Sequence, residues 1–248
     1  MNFKLEICAD SVESAIIAQT AGADRVELCD NLYEGGTTPS FGTIASAREN
    51  LLIQLHILIR PRGGDFLYND SEFDIMRRDI DLCGEAGVDG IVTGILRPDG
   101  SIDIERTERL IGLAQPMSVT FHRAFDLCSD PVRGLEDIIS TGASRLLTSG
   151  QKNKAPEGSE LIRRLVKLAG KRIIVMPGSG LDESNIASTA IETGAFEFHL
   201  SGRKTTDSNM TFRREGIYLG GVPGIQGYSR KIADPEKILN IINILKMI

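Results

Sequence analysis

Short apolar runs alternate with helix-period stretches along this chain, and the alternation repeats eight times. The runs occupy residues 4–9, 25–29, 55–59, 89–93, 117–122, 146–149, 172–176 and 196–200. Helical patterns follow them at 12–21, 43–49, 70–86, 105–113, 131–140, 160–168, 186–192 and 235–246. Parallel neighbours need a crossover connection, so strands that each lead into a helix predict a parallel sheet. Asp10-Ser11 and Asp130-Pro131 supply helix-start signals. Several helices stop at a glycine just before the next strand, as at Gly22-Ala23, Gly87-Val88, Gly142-Ala143 and Gly194-Ala195. Such units can lie in an open doubly wound sheet or close into a ring. The unit count, the 248-residue length and the polar strand faces favour the ring. The expected fold is α/β, a (β/α)8 TIM-type barrel, with residues 1–248 as a single domain.

Composition narrows the partners. Hydrophobic residues make up 41% of the chain, enough for a large core. The net charge is −6, with no basic excess of the kind that binds nucleic acid. The longest apolar runs reach about half a membrane span, and no charged-then-apolar leader opens the sequence. The expectation is a cytoplasmic protein with neither a membrane nor a nucleic acid as partner. Cys8, Cys29, Cys83 and Cys128 are scattered, as reduced thiols would be. Cys83, on a helix, and Cys128, at a loop start, read as ordinary core or surface thiols.

Read with period two, the strands have one apolar phase and one polar phase. Leu5 and Ile7 alternate with Glu6 and Cys8, and Val26 and Leu28 with Glu27 and Cys29. Leu55, Ile57 and Ile59 alternate with His56, Leu58 and Arg60. Val119 and Phe121 alternate with Thr120 and His122, and Phe198 and Leu200 with Glu197, His199 and Ser201. The apolar phase faces the helices, so the polar phase points into the barrel, where branched aliphatics are the norm. Charges there must pair or serve chemistry. One reading is a structural ion-pair network in which Arg60, Glu6 and Glu27 neutralise one another. The other is catalytic, with Glu6, Glu27, His56, Arg60 and His122 as candidates: Glu27, Glu6 or His122 would move protons, and Arg60 would help hold an anion.

Active sites of such barrels form at the C-terminal strand ends. The third strand leads into Arg60-Pro61-Arg62-Gly63-Gly64-Asp65-Phe66, whose guanidiniums suit a carboxylate or phosphate. The fifth leads into His122-Arg123-Ala124-Phe125-Asp126, with a further arginine and a candidate His–Asp pair. Gly178-Ser179-Gly180 and Ser201-Gly202-Arg203 follow the seventh and eighth strands, where backbone N–H groups can hold an anion. Arg62, Arg123, Gly178, Ser179, Gly180, Ser201, Gly202 and Arg203 are therefore the candidate anion-binding residues. The loop 31–40, containing Glu34-Gly35-Gly36-Thr37, is read as a lid or a simple turn. Cys8 and Cys29 end adjacent strands on one phase, and two thiolates suit a soft ion such as Cu(I). Zinc would need histidines to complete four ligands, and no CxxC or HxxxH spacing is present. Small buried hydrophobes are the plainer reading of the same two thiols.

These residues also resemble a known family. Glu6-Ile7-Cys8-Ala9-Asp10-Ser11, Gly22-Ala23-Asp24-Arg25-Val26-Glu27-Leu28-Cys29 and Glu34-Gly35-Gly36-Thr37-Thr38-Pro39-Ser40 look like the CutC copper homeostasis family. So do residues 59–66, Val119-Thr120-Phe121-His122-Arg123-Ala124-Phe125-Asp126, Leu147-Thr148-Ser149-Gly150 and Met176-Pro177-Gly178. Ser179 stands where the family often has glycine, and residues 211–227 match less firmly. The resemblance implies a cytoplasmic TIM-type barrel that forms homo-oligomers. It also implies a part in copper tolerance, with Cu(I) at Cys8 and Cys29 and no organic cofactor. Beside that stands an enzyme of unknown reaction acting on a small anionic or phosphorylated metabolite, so the partner is a copper ion or a small anion. A third reading is a structural barrel used for protein contact, with Ile238, Ile241, Ile242 and Leu245 on the last helix.

Overall fold

A computed structural model describes residues 3–214, 216–217 and 227–248. Of the stretch 211–227, residue 215 and residues 218–226 lie outside that description. The eight expected strands form one parallel sheet: β1 (Lys4–Ala9), β2 (Arg25–Leu28), β3 (Gln54–Leu58), β4 (Gly90–Thr93), β5 (Ser118–Phe121), β6 (Arg145–Thr148), β7 (Ile174–Pro177) and β8 (Glu197–Leu200). They are ordered β7-β6-β5-β4-β3-β2-β1-β8. A parallel bridge between Gly178 and His199 brings β7 to β8 and completes the ring. The fold is thus a (β/α)8 barrel.

Seven helices connect the strands: α1 (Val12–Thr20), α2 (Phe41–Asn50), α3 (Asp70–Ala86), α4 (Ile104–Ala114), α5 (Pro131–Ser140), α6 (Ser159–Ala169) and α7 (Ile186–Thr193). Their starts are set locally. Asp130 accepts from Val132 and Arg133 N–H ahead of Pro131, and Asn69 and Glu72 form a reciprocal capping box on α3. Gly87 ends α3 at φ 69°, a conformation that strains any residue with a Cβ. α2 begins two residues before the expected 43, because the Ser40 hydroxyl caps Thr43 N–H.

After β8 the polar stretch forms a hairpin, β9 (Arg203–Asp207) with β10 (Ser229–Ala233), before α8 (Pro235–Lys246). No apolar period marks these short polar strands, which is why the sequence did not announce them. The hairpin is anchored where Ala233 N–H donates to Ser14 Oγ on α1 at 3.2 Å. The loop 31–40 is a turn, pinned by an antiparallel bridge between Asp30 and Thr37. Among the described residues no helix is long and apolar enough to cross a membrane.

The two strand phases diverge in their surroundings. Leu5, Ile7, Val26, Leu28, Leu55, Ile57, Val119, Phe121, Phe198 and Leu200 are buried in the apolar layer shared with the helices. Glu6, Arg25, Glu27, His56, Glu197 and His199 take the other phase, and all but His199 are nearly inaccessible. Strand register fixes who meets whom: Glu6 sits beside Arg25 on one side and His199 on the other. Arg25 Nε donates to Glu6, and its Nη2 reaches Glu197 Oε2 at 2.9 Å. Arg145 Nε meets the same Glu197 oxygen at 2.7 Å. An ionic chain Arg145–Glu197–Arg25–Glu6–His199 therefore crosses the barrel interior.

Arg60 takes no part in this chain, contrary to the sequence reading that paired it with Glu6 and Glu27. It follows the end of β3, and its guanidinium is taken up by the carbonyls of Glu34, Gly36 and Gly64. The neutralising charges are Arg25 and Arg145, each the first residue of its strand.

Removing one member of a buried ion pair leaves its partner charged and unsolvated, at a cost of about 3–5 kcal/mol, whereas apolar replacement of the whole set is nearly neutral. Arg25→Ala is therefore expected to lose roughly that much stability by urea unfolding. A Glu6→Leu/Arg25→Met/Arg145→Met/Glu197→Leu variant, which leaves no arginine of the chain unpaired, should recover most of it.

Candidate active site at the barrel mouth

The C-terminal strand ends surround a cavity of about 520 Å³. Cys8, Glu27 and His199 border its inner part, and Arg60, Phe66, His122, Arg123, Ser179, Gly180, Ser201 and Arg203 also line it. A second hollow of about 840 Å³ lies outside the barrel along α6 and contains none of the candidate catalytic, anion-binding or metal-binding residues.

The ionic chain ends at this cavity. His199 Nδ1 lies 2.7 Å from Glu6 Oε1, and its Nε2 lies 3.6 Å from Glu27 Oε2. Burial alone would raise the Glu6 carboxyl, but the Arg25 guanidinium and His199 reverse this and hold it well below the ordinary range. Burial would likewise discharge His199, yet Glu27, Cys8 and Glu6 around it push the imidazole well above its usual value. Glu27 is raised by burial, with Glu6 adding to the effect and His199 opposing it. Glu6 thus fixes the ring of His199 and leaves Nε2 facing Glu27, the orienting role of a carboxylate behind a working imidazole.

Cys8 and Cys29 bring their sulfurs to 3.5 Å. Only Cys8 lines the cavity; Cys29 is covered and its thiol lies 3.4 Å from the Ala9 carbonyl. The hydrogen bond with Cys29, then burial, then Glu27 push the Cys8 thiol well above its usual value. Ligand atoms of Cys8, Glu27 and His199 lie within 4.8 Å of one another, close enough to share one metal ion. Cys83 and Cys128 are free and buried.

His122 is buried, and its Nδ1 accepts from Ala124 N–H at 3.2 Å. Burial and then Arg60 lower its pKa to about 3, so it stays neutral. The expected pairing with Asp126 does not occur. The 3-10 turn Arg123–Leu127 swings Asp126 toward the β6 loop, where it accepts from Thr148 Oγ1 at 2.5 Å, from Arg123 Nε at 2.8 Å and from the Ser149 and Gln151 amides. Arg123 is thereby held at the cavity wall.

Three further expectations are corrected. His56 lies below the cavity, not on its lining, and neither ring nitrogen has a hydrogen-bond partner among the described residues. Burial first, with Arg25 and Arg145 adding and Glu6 opposing, lowers it to about 4. Arg62 turns outward to Glu72 at 2.6 Å and Asp65 at 3.0 Å, across the Tyr68 ring, and offers nothing to an anion in the cavity. Gly178 and Gly202 lie behind the lining: a Cβ would meet Leu147 at 2.5 Å and Ile238 at 2.9 Å respectively, so close packing explains both glycines. Ser179 and Gly180 do line it, and their amide N–H groups have no protein acceptor among the described residues. Ser179 holds φ 82° with its hydroxyl on the Asn153 carbonyl at 2.8 Å. Arg203 reaches Asp10 at 3.3 Å.

The sequence reading left His199 out of the proton-handling set, although its phase already placed it inside the barrel. Knowing that β8 closes on β1 is what brings it to Glu6. Phe66, under the Arg60 guanidinium at 5.0 Å and beside the His122 ring at 4.8 Å, carried no signal beyond its loop position.

A closed parallel barrel with a charged interior opening into a polar mouth defines the class of protein. The chain belongs to the CutC family, whose model matches residues 3–204. A CutC family protein of Chromobacterium violaceum is 54% identical over 234 residues, 94% of each chain. The human copper homeostasis protein cutC homolog is 46% identical over 246 residues, covering 99% of this chain and 90% of its own. The crystal structure of a CutC from Streptococcus agalactiae superposes with a TM-score of 0.77 at 37% identity, covering 80% of this chain and 98% of that one.

The buried histidines make stability depend on pH. An imidazole held at about 4 when folded takes up its proton near 6.5 when unfolded. The unfolded chain then binds more protons between these values, so this contribution falls as pH drops from 6.5 toward 4. Between about pH 7 and pH 5 the urea midpoint of the wild type should therefore fall relative to that of His56→Gln, which cannot titrate.

Proposed function

We propose that the mouth cavity is an active site that moves protons on a small anionic metabolite. The observation that carries this reading is the Glu6–His199–Glu27 arrangement, an oriented imidazole facing a buried carboxyl at an open cavity. Glu27 is the proton carrier and His199 its partner, with Glu6 as the residue that positions the ring. Arg123, Arg203 and the unengaged amides of Ser179 and Gly180 supply the anion's donors, as Gly-rich turns after late barrel strands can. A structural ion-pair network accounts for Arg145, Glu197 and Arg25, but not for a carboxyl left without an arginine at the cavity. Arg203→Ala should weaken binding of small organic phosphates about 10–100-fold by calorimetry, the scale of one lost charge-assisted bond. Failure of wild type to bind any of a panel of small phosphates and carboxylates would rule out this reading.

A second reading rests on the two sulfurs at 3.5 Å. Cys8 and Cys29 have the donor chemistry for Cu(I), and His199, held through Nδ1 by Glu6, has Nε2 available as a further ligand. Membership of a family named for copper homeostasis supports it. The bound ion would replace the thiol protons that burial now favours, so uptake releases protons. Anaerobic competition with a Cu(I) chelator should show affinity falling by orders of magnitude in Cys8→Ser/Cys29→Ser. Unchanged affinity in that variant would remove these thiols as the site.

A further inference from the structure

The active-site reading leaves one buried imidazole unused. His122 is 5% exposed and lines the cavity at the end of β5, three strands round the ring from β2, which carries Glu27. Its Nδ1 is occupied by the Ala124 N–H, which assigns the ring proton to Nε2. That Nε2 is buried and has no hydrogen-bond partner among the described residues. Phe66 packs on the ring at 4.8 Å, and the Phe121 ring lies 6.1 Å away on a T-shaped approach. A glycine at position 94 makes room for it, since a Cβ there would sit 2.5 Å from Nδ1. A buried donor without an acceptor is costly, and a ligand oxygen is what would satisfy it.

We propose that His122 is a substrate-touching N–H donor and that the reaction is a cofactor-free proton shift beside a carbonyl, interconverting isomers of a small anionic hydroxy-aldehyde or hydroxy-ketone. This inference rests on the active-site reading above. Glu27 takes the proton from the carbon next to the carbonyl, and the C–H electron pair becomes the new C=C bond. The carbonyl π pair moves onto its oxygen, which receives the Nε2 proton of His122. The neighbouring hydroxyl then returns a proton to Nε2, its O–H electron pair becomes the new carbonyl π bond, and the C=C pair takes the proton from Glu27 onto the former carbonyl carbon. Atoms and electrons balance with no oxidant, reductant or co-reactant. A neutral imidazole suits this task because it polarises the carbonyl without a charged resting state, and burial together with Arg60 keeps it so.

Two measurements on the full chain test this. Nitrogen-15 NMR of labelled histidine should show His122 as the neutral Nε2–H tautomer throughout about pH 8 to pH 5. A proton on Nδ1, or an imidazolium in that range, would overturn the assignment. Calorimetry should compare phosphoglycolohydroxamate, a planar enediolate mimic, with glycerol 3-phosphate, which carries the same phosphate without the enediolate oxygens. The mimic should bind wild type at least about tenfold more tightly. In His122→Phe that advantage should vanish while glycerol 3-phosphate binds as before. Equal binding of the two by wild type overturns the inference and leaves the anion site standing, whereas failure of both to bind overturns both.

Discussion

The contact between Arg25 and Glu6 organises this barrel. A guanidinium with almost no exposure can persist only where carboxylates receive it, and Glu6 and Glu197 do so from the paired first and last strands of the ring, β1 and β8. That pairing leaves the second oxygen of Glu6 for His199, and so decides which way the imidazole turns. The geometry at the mouth is thus set a layer below it, by charges that never meet solvent. Such a chain adds little net stability over an apolar filling, but it imposes orientation that aliphatic side chains cannot.

The two readings of the mouth draw on the same atoms. Cys8, Glu27 and His199 lie close enough to share an ion, and they also border the cavity into which Arg123 and Arg203 reach. A thiol whose pKa is driven up by burial and a neighbouring thiol is a poor free nucleophile. On the proton-transfer reading the acid–base role therefore falls to Glu27, and on the copper reading the sulfurs serve a soft cation. The two occupants differ in what they require of His199: a metal needs a bare Nε2, whereas a proton relay uses the imidazolium that the surrounding carboxyls favour.

Much of the fold was legible because barrel periodicity is written locally. Each strand and its helix announce themselves through alternation, caps and glycine stops, and the two-residue period on β1, β2, β3, β5 and β8 placed the polar phase indoors. Partner choice was not legible in the same way. Arg25 and Arg145 open their strands, where a charge reads as a solvent-exposed boundary, and only the register across the ring turns them inward. Arg62 illustrates the opposite error, since a loop guanidinium beside a glycine pair looks free until Glu72, which also completes the α3 capping box, claims it. Asp126 was displaced from His122 by a 3-10 turn that the periodic patterns do not encode.

The fourth strand shapes the site by what it omits. Gly90 and Gly94 bracket it, and a Cβ on either would lie 2.5 Å from an imidazole nitrogen, His56 in one case and His122 in the other. The histidines themselves belong to the third strand and to the residue after the fifth. β4 therefore acts as a spacer whose missing side chains are the room its neighbours' rings occupy. A side chain at position 94 would act on the mouth through the His122 ring that lines it, and one at position 90 would act on His56 in the layer below, in both cases by moving a ring rather than by touching a ligand.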